Sequence, residues 1–381
     1  MKILLVGEYN SIHYTLKEGL QQLGHTVTVV GLGDGFKKRT VDVNFVKPYE
    51  TGIKNFLKRV VYKLFKIDLN SESIKKQFFQ NKHIFQGNDI VQLVNENSFS
   101  TVPKVEKEML QFIFQNNKKV FLLSCGTDYL SVKYALEEKF AYSIATPYLQ
   151  KKGTEAQFQH MTQCITAPFE DLHHFIVKNV EGIIASDFDY DIPLQGHPNY
   201  LGMVPNPINL DKLKYTPLVI EDKVVIFHGI NQNNYYKKGN DIFEKALEIV
   251  SETHSEKIDI TTVRSIPYVE YIKAFDTCHI LLDQVFAYDQ GYNALEAMAK
   301  GKVVFTGAEK EFLDYYNLSE DEVAINALPD AQKIAKKLIW LVENPQKILE
   351  ISRNARNFVE QEHHHILGAK RYLSKWGVDV I

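Results

Sequence analysis

The segment Leu281–Val304, LLDQVFAYDQGYNALEAMAKGKVV, carries the residues whose types and spacing bear most directly on chemistry. An apolar strand ends at Asp283, a polar loop follows, and a helix opens near Gly291 and stops before Gly301. The first turn of a helix leaves backbone N–H groups without intrahelical partners and carries the positive end of the helix dipole, so it suits a pyrophosphate. Gly291 lets the backbone approach such an anion closely. Glu296 falls in the second turn, where a carboxylate is able to accept both hydroxyls of a ribose. An ordinary strand–loop–helix with a surface Glu has the same pattern, and the residues alone leave the two readings level.

Three other stretches hold candidate groups. In IFHGINQNNYYKKGNDIFEKAL, Ile226–Leu247, a buried strand ends at a Gly turn, and Lys237 and Lys238 precede Gly239 and a helix. Lys238 is placed to meet a phosphate; the alternative is a pair of solvated loop charges. In SCGTDYL, Asp128 follows a strand and either faces a ligand beyond the strand end or caps the next helix. After the first strand, Asn10, Ser11 and His13 lie where ligands of open α/β sheets bind, outside the carboxyl ends of the strands. A single His near a helix start is more often a capping or core group, and His13 is read that way first. The run His363–His365 does not read as a metal site, because consecutive helical side chains point in different directions; surface histidines are expected.

The elements that must position these groups repeat one pattern twice. Met1–Gly7, Thr26–Val30, Ile90–Leu93, Val120–Ser124 and Gly182–Ala185 read as strands, with a helix over Tyr14–Leu23. VPNPINLDKL, Val204–Leu213, reads as a linker because each proline disfavours helix at the residue before it. A second series follows, with strands at Val224–His228, Ile258–Val263, Ile280–Asp283 and Lys302–Phe305. Its helices are expected at Asn240–Ser251, Tyr268–Phe275 and Tyr292–Lys300, with a helical tail over Ala331–Val342 and Pro345–Gln361. Alternating strands and helices imply parallel sheets. A chain of 381 residues exceeds one ordinary core, so two domains are expected. A net charge of −3 gives no electrostatic reason for nucleic-acid binding. Cys125, Cys164 and Cys278 are scattered without metal spacing and read as reduced thiols of a cytoplasmic protein. The apolar run Ile3–Val6 is too short for the core of a signal peptide.

The Leu295–Val304 segment, LEAMAKGKVV, resembles the donor loop of the retaining GT-B glycosyltransferases of group 1, whose pattern is Glu, seven residues, Glu, then Ala-Met-Ala-x-Gly. The resemblance implies an α/β fold of two Rossmann-like domains facing across a cleft. It implies an acceptor domain over residues 1–205, a nucleotide-sugar donor domain over 206–357, and a C-terminal helix within 358–381 returning to the first domain. It further implies that Glu296 binds the nucleotide ribose and that Gln290, Gly291 and Tyr292 line the donor. Tyr288 stands where the family has its first Glu, and Asp289 is one place off register; either is a candidate for the sugar contact. Gly229 and Lys238 match the Gly and the diphosphate-binding Lys of the family's Gly-Arg…Lys-Gly segment, while Ile230 stands at the place of its Arg with Gln232 close by, leaving Arg264 as a helper. The loop of Arg264, Ser265 and Ile266 would contact the nucleobase through its backbone. Lys238, Asp128, Tyr288 and Asp289 are thus the expected catalytic set, with no cofactor and no metal. The implied activity is transfer of a sugar from a nucleoside-diphosphate sugar to a glycan or lipid-linked acceptor in cell-surface polysaccharide synthesis, with retained configuration. A weakly active scaffold subunit and a nucleotide-sugar epimerase of the same fold are the competing readings. A Rossmann oxidoreductase is disfavoured by the lack of GxGxxG after the first strand.

IKNFLKRVVYKLFKI, Ile53–Ile67, is a separate signal. Apolar residues at 53, 56, 57, 60, 61, 64 and 65 form one helical stripe, Lys54, Lys58, Arg59, Lys63 and Lys66 surround it, and no acid interrupts it. Such a helix suits an anionic membrane surface, which would place the protein peripherally on the inner face of the cytoplasmic membrane. The alternative is a core helix with a basic outer face.

Overall fold

The computed structural model describes residues 1–33 and 41–379; residues 34–40 and 380–381, the last two within the expected segment 358–381, lie outside the description. The first sheet contains β1 (Lys2–Val6), β2 (Thr26–Gly31), β3 (Val43–Asn44), β4 (Ile90–Leu93), β5 (Lys119–Ser124), β6 (Gly182–Ala185) and β7 (Tyr200–Met203). Their spatial order is β3-β2-β1-β4-β5-β6-β7, and every pairing is parallel. Ile3, Leu4, Leu5 and Val6 are fully buried, as befits a central strand covered by helices on both faces. Burying each such side chain contributes about 1.5–3 kcal/mol. The strand order reverses direction between β1 and β4, so the crevice of this domain opens above the loops that follow those two strands.

The second sheet contains β8 (Val224–Ile230), β9 (Ile258–Arg264), β10 (Ile280–Leu282), β11 (Val303–Thr306) and β12 (Ile325–Asn326), again parallel, in the order β12-β11-β10-β8-β9. Here the order reverses between β8 and β10. The loops that carry Lys238 and Gly291 are therefore the two that flank the switch point, the place where doubly wound sheets bind their ligands.

The chain passes between the sheets at residues 204–210, and its C-terminal tail passes back beside this crossing. The Ile208 amide donates to the His363 carbonyl at 2.6 Å, and the His365 amide donates to the Ile208 carbonyl at 3.0 Å. This pairing corrects the expectation of surface histidines: His363 and His365 are both buried. Burial pushes the His363 imidazole down to about 4, so it is neutral and donates from Nδ1 to the Asn206 carbonyl at 2.9 Å. The helix His365–Lys375 then packs on the helix Ile12–Gln22. Trp376, immediately after it, is buried and donates its indole N–H to Gln92 Oε1 of β4 at 3.0 Å.

Strands β3, β7 and β12 have no counterpart in the sequence reading. β3 and β12 are two residues each, and β7 contains Gly202 at φ 102, so none shows a periodic apolar signal. The three cysteines are free and buried. Among the described residues, no helix is long and apolar enough to cross a membrane.

Candidate functional site

The loop after β8 is built to hold Lys238 against the loop after β10. His228, buried in β8, hydrogen-bonds Asn240 Oδ1 through Nε2 at 2.8 Å, and the Asn240 side-chain amide donates to the Tyr235 carbonyl at 2.9 Å. Gly239 sits at φ +70, and a Cβ there would fall 2.6 Å from Val285 Cβ, so only glycine lets the two loops touch. The Val285 amide closes the contact by donating to the Lys238 carbonyl at 3.0 Å. The Lys238 ammonium then meets Asp283 Oδ1 at 3.0 Å, and Asn293 Nδ2 donates to the same oxygen at 2.9 Å. Asn293 is the second residue of the helix Tyr292–Ala299, so Asp283 links the lysine to the opening turn of that helix. Tyr271 completes the network by donating to Asn293 Oδ1 at 3.0 Å.

The space above the helix start is open. A Cβ on Gly291 would meet only Gln284 Nε2, at 3.8 Å, and its φ of −76 is available to any residue, so the glycine's contribution is clearance rather than conformation. Glu296, half-buried, lies on the same helix, close enough to Tyr271 and Tyr292 that its charge pushes both phenols further up after burial and nearer charges have done so. Gly229 is filled differently from the expectation. A Cβ there would lie 2.4 Å from the Tyr271 ring, so the glycine accommodates that ring. Arg264 ion-pairs with Glu244 of the helix Asn240–His254, which turns its guanidinium away from the helper role expected of it. The Ser265 amide donates to the Ile230 carbonyl at 2.8 Å and Ser265 Oγ accepts from the Gln232 amide at 3.1 Å, which leaves half-buried Ile266 beside the same crevice loop.

The other donor-loop residues are engaged by protein groups. Tyr288 is buried between Phe140 and Tyr142, and its hydroxyl accepts from the Ala141 amide at 2.9 Å. Gln290 donates to the Gly307 carbonyl at 2.8 Å, and Tyr292 donates to the Pro207 carbonyl at 2.9 Å. Asp289 Oδ2 accepts from the Phe188 amide at 3.2 Å, and Asp189 Oδ1 accepts from the Tyr288 amide at 3.3 Å. Tyr288 and Asp289 thus lie against the first domain, while Gln290 bonds within the second domain and Tyr292 holds the linker, so Tyr288 and Asp289 do not occupy the sugar-contact roles expected of them. The physical reason is that Tyr288 packs between Phe140 and Tyr142 and Asp289 is held by the Phe188 amide.

In the first domain, Asp128 is a helix cap. Its Oδ1 accepts from the Ser131 amide at 2.7 Å in a capping box, and its Oδ2 accepts from Ser124 Oγ. With both oxygens engaged, it leaves the expected catalytic set and becomes a residue that positions the loop 124–128. His13 is a core group: burial pushes it down to about 4, Nδ1–H donates to the Gly7 carbonyl at 2.8 Å, and Nε2 faces Gln92 at 3.4 Å. Asn10 and Ser11 turn left-handed at φ 51 and 77 above the switch point of the first sheet, and Ser11 Oγ is buried without a hydrogen-bond partner among the described residues. No hydrogen bond joins Asn10, Ser11 or His13 to Lys238 or Asp283 among the described residues.

Sequence reading missed Asp187 and Asp189. With Asp289 they bring carboxylate oxygens from both domains within 4.8 Å of one another, a spacing at which a metal ion also binds. Burial pushes all three carboxyls up, Asp187 to about 7; the Asp128 charge adds to this for Asp187, the Asp187 charge for Asp189, and the Asp187 and Asp189 charges for Asp289. Ser186 and Asn206 face Asp187, and Asp191 and Tyr316 lie beside Asp289. A carboxyl raised in the folded chain holds its proton there when the unfolded chain has released it, so stability is lost as pH rises between about 4 and 7. Asp289→Asn keeps an acceptor for Phe188 and deletes one charge. The expected result is a smaller drop in melting temperature between pH 5 and pH 8 than in the wild type. Equal drops in the two melting series would show that the cluster does not couple to folding.

Residues 237–373 match the family model described as glycosyl transferase-like. No curated protein matches the chain in sequence. Among solved structures, sucrose-phosphate synthase from Thermosynechococcus elongatus superposes with a TM-score of 0.61 at 12% identity, covering 99% of this chain and 98% of that one. Anabaena HepE in complex with UDP and glucose gives 0.59 at 13% identity and 99% of each chain. UDP-GlcNAc 2-epimerase from Neisseria meningitidis bound to UDP-GlcNAc gives 0.51 at 13% identity and 99% of each chain. At these identities the likeness establishes the fold, which is GT-B.

Proposed function

We propose that this protein transfers a sugar from a nucleoside-diphosphate sugar to a hydroxyl of a glycan or lipid-linked acceptor, with retention of configuration, in the synthesis of a cell-surface polysaccharide. The observation that carries this reading is the crevice between β8 and β10, where Gly291 opens the helix that carries Glu296 and the ammonium of Lys238 is tied to the same helix through Asp283 and Asn293. The helix start receives the diphosphate, and Glu296 receives the ribose. Lys238 is half-neutralised by Asp283. Lys237 supplies the second cation: it is half-buried, has no acidic partner among the described residues, and faces His160 of the first domain, whose imidazole its charge pushes down after burial. As the donor bond breaks, charge grows on the leaving diphosphate, and these fixed groups stabilise it without reorganising. Retention fits a site in which Asp128 is committed to a cap and Asp289 to the buried contact with the Phe188 amide, so neither faces the crevice as a base.

The test is a thermal-shift screen with nucleoside diphosphates and their sugars, UDP first because several structural relatives hold it. Stabilisation by a diphosphate, followed by its release from the matching sugar donor, is the expected result; no stabilisation by any nucleoside diphosphate would overturn the reading. A second reading, epimerisation of a nucleotide-linked sugar, is favoured by one feature, the proton-holding carboxyls at the domain seam. It predicts a product that stays attached to the nucleotide.

A further inference from the structure

The helix Gly52–Phe65 buries none of its residues, although half of its side chains are apolar. It touches the rest of the protein through the helix Leu69–Gln80, with Asn55, Lys58, Val60 and Val61 half-covered. Ile53, Phe56 and Leu64 are left 87%, 69% and 67% exposed, and Leu57, Tyr62, Phe65 and Ile67 are exposed beside them. Ile53, Leu57, Val60 and Leu64 share one face by their spacing, with Phe56 at its edge. The reading of this segment as a core helix is therefore excluded by its burial. An apolar patch of this kind on a water-facing helix needs a partner.

The charges say which partner. Lys54, Arg59, Lys63 and Lys66 are exposed, and no acidic side chain pairs with any of them or with Lys58 among the described residues. Elsewhere the chain pairs its lysines freely, as in Lys75 with Glu72 and Glu108. A second copy of this helix would meet its own positive charge, which disfavours pairing between copies. A bilayer surface containing anionic lipid satisfies both features at once: phosphate headgroups meet the ammonium and guanidinium groups, and acyl chains receive Ile53, Phe56 and Leu64.

We propose that the helix Gly52–Phe65 is a docking helix for anionic lipid bilayers, lying in the plane of the surface with the Ile53–Leu57–Leu64 face inserted. Binding is reversible and salt-sensitive, since exposed charges are screened over about 8 Å at physiological ionic strength. The helix does not cross the bilayer, and it lies outside the crevice that carries the proposed chemistry.

The experiment is flotation of the full chain with vesicles of phosphatidylcholine alone or with phosphatidylglycerol, at low and high salt. Two variants accompany it. One carries Lys54→Glu, Arg59→Glu and Lys63→Glu, and the other carries Ile53→Ser, Phe56→Ser and Leu64→Ser. All six positions are exposed, so circular dichroism and melting temperature are expected to match the wild type. The expected result is binding to the phosphatidylglycerol vesicles only. Each basic residue multiplies partitioning by roughly fivefold, so the charge variant loses about 100-fold or more. The serine variant loses at least tenfold even at low salt. No flotation of the wild type at low salt, or equal flotation of either variant, overturns the proposal. So does a concentration-dependent dimer that the serine variant abolishes in the absence of any vesicle binding.

Discussion

Exchanging Lys238 for Met is expected to lower sugar-transfer turnover about a thousandfold and to destabilise the protein by about 2–3 kcal/mol, and the two effects are separable. The stability loss arises at Asp283, whose side chain is 2% exposed and would keep Asn293 as its remaining hydrogen-bond partner among the described residues. Removing one member of a buried pair leaves an uncompensated charge, at about 3–5 kcal/mol when burial is complete. Lys238 retains 30% exposure, and water reaching that side lowers the figure. Adding Asp283→Asn to Lys238→Met removes the stranded charge while keeping an acceptor for Asn293. The double variant should recover most of the melting temperature and none of the turnover, because the charge that meets the leaving diphosphate is still missing. Recovery of both together would make the pair a structural clasp; loss of neither in the single variant would remove Lys238 from the site.

That separation could not have been drawn from the sequence, and the reason is specific. KKG before a helix marks Lys238 as a phosphate candidate, but Asp283 reads as nothing more than the last residue of a strand. The two are 45 positions apart and meet only because β8 and β10 are neighbours across the switch point. The strands themselves were legible, since Val224–Ile230 and Ile280–Leu282 are apolar runs of strand length between turn residues. What a period cannot report is lateral order, and lateral order decides which loops share a crevice.

The donor loop shows the same limit from the other side. Register against the family pattern puts Tyr288 and Asp289 at a sugar contact, because register counts residues and ignores direction. In the fold both side chains turn toward the first domain, Tyr288 to the Ala141 amide and Asp289 to the Phe188 amide. The carboxylates that join Asp289 come from positions 187 and 189, about a hundred residues earlier, with no motif around them. Asp128 was readable in both its possible roles, and only the Ser131 and Ser124 contacts select the cap. His363 and His365 were misjudged because burial there is created by a crossing between linker and tail, an event with no local signature.

Glu296 is the residue for which pattern and placement agree most closely, and its test can be made specific to ribose. Glu296→Gln preserves shape and one acceptor but removes the charge that strengthens hydrogen bonds from two hydroxyls. The expected loss of UDP affinity by calorimetry is about 1.5–3 kcal/mol, or roughly 10- to 150-fold. A general disturbance of the helix Tyr292–Ala299 would produce a similar loss, so affinity alone does not assign the contact. Using 2′-deoxy-UDP as a second ligand does. If the carboxylate accepts the 2′-hydroxyl, the wild type loses affinity for the deoxy ligand while the Gln variant distinguishes the two ligands far less. The two losses are then non-additive by about 1 kcal/mol or more, the mark of groups in direct contact. Strictly additive losses would mean that Glu296 acts on the nucleotide from a distance, through Tyr271 and Tyr292, whose phenols already feel its charge.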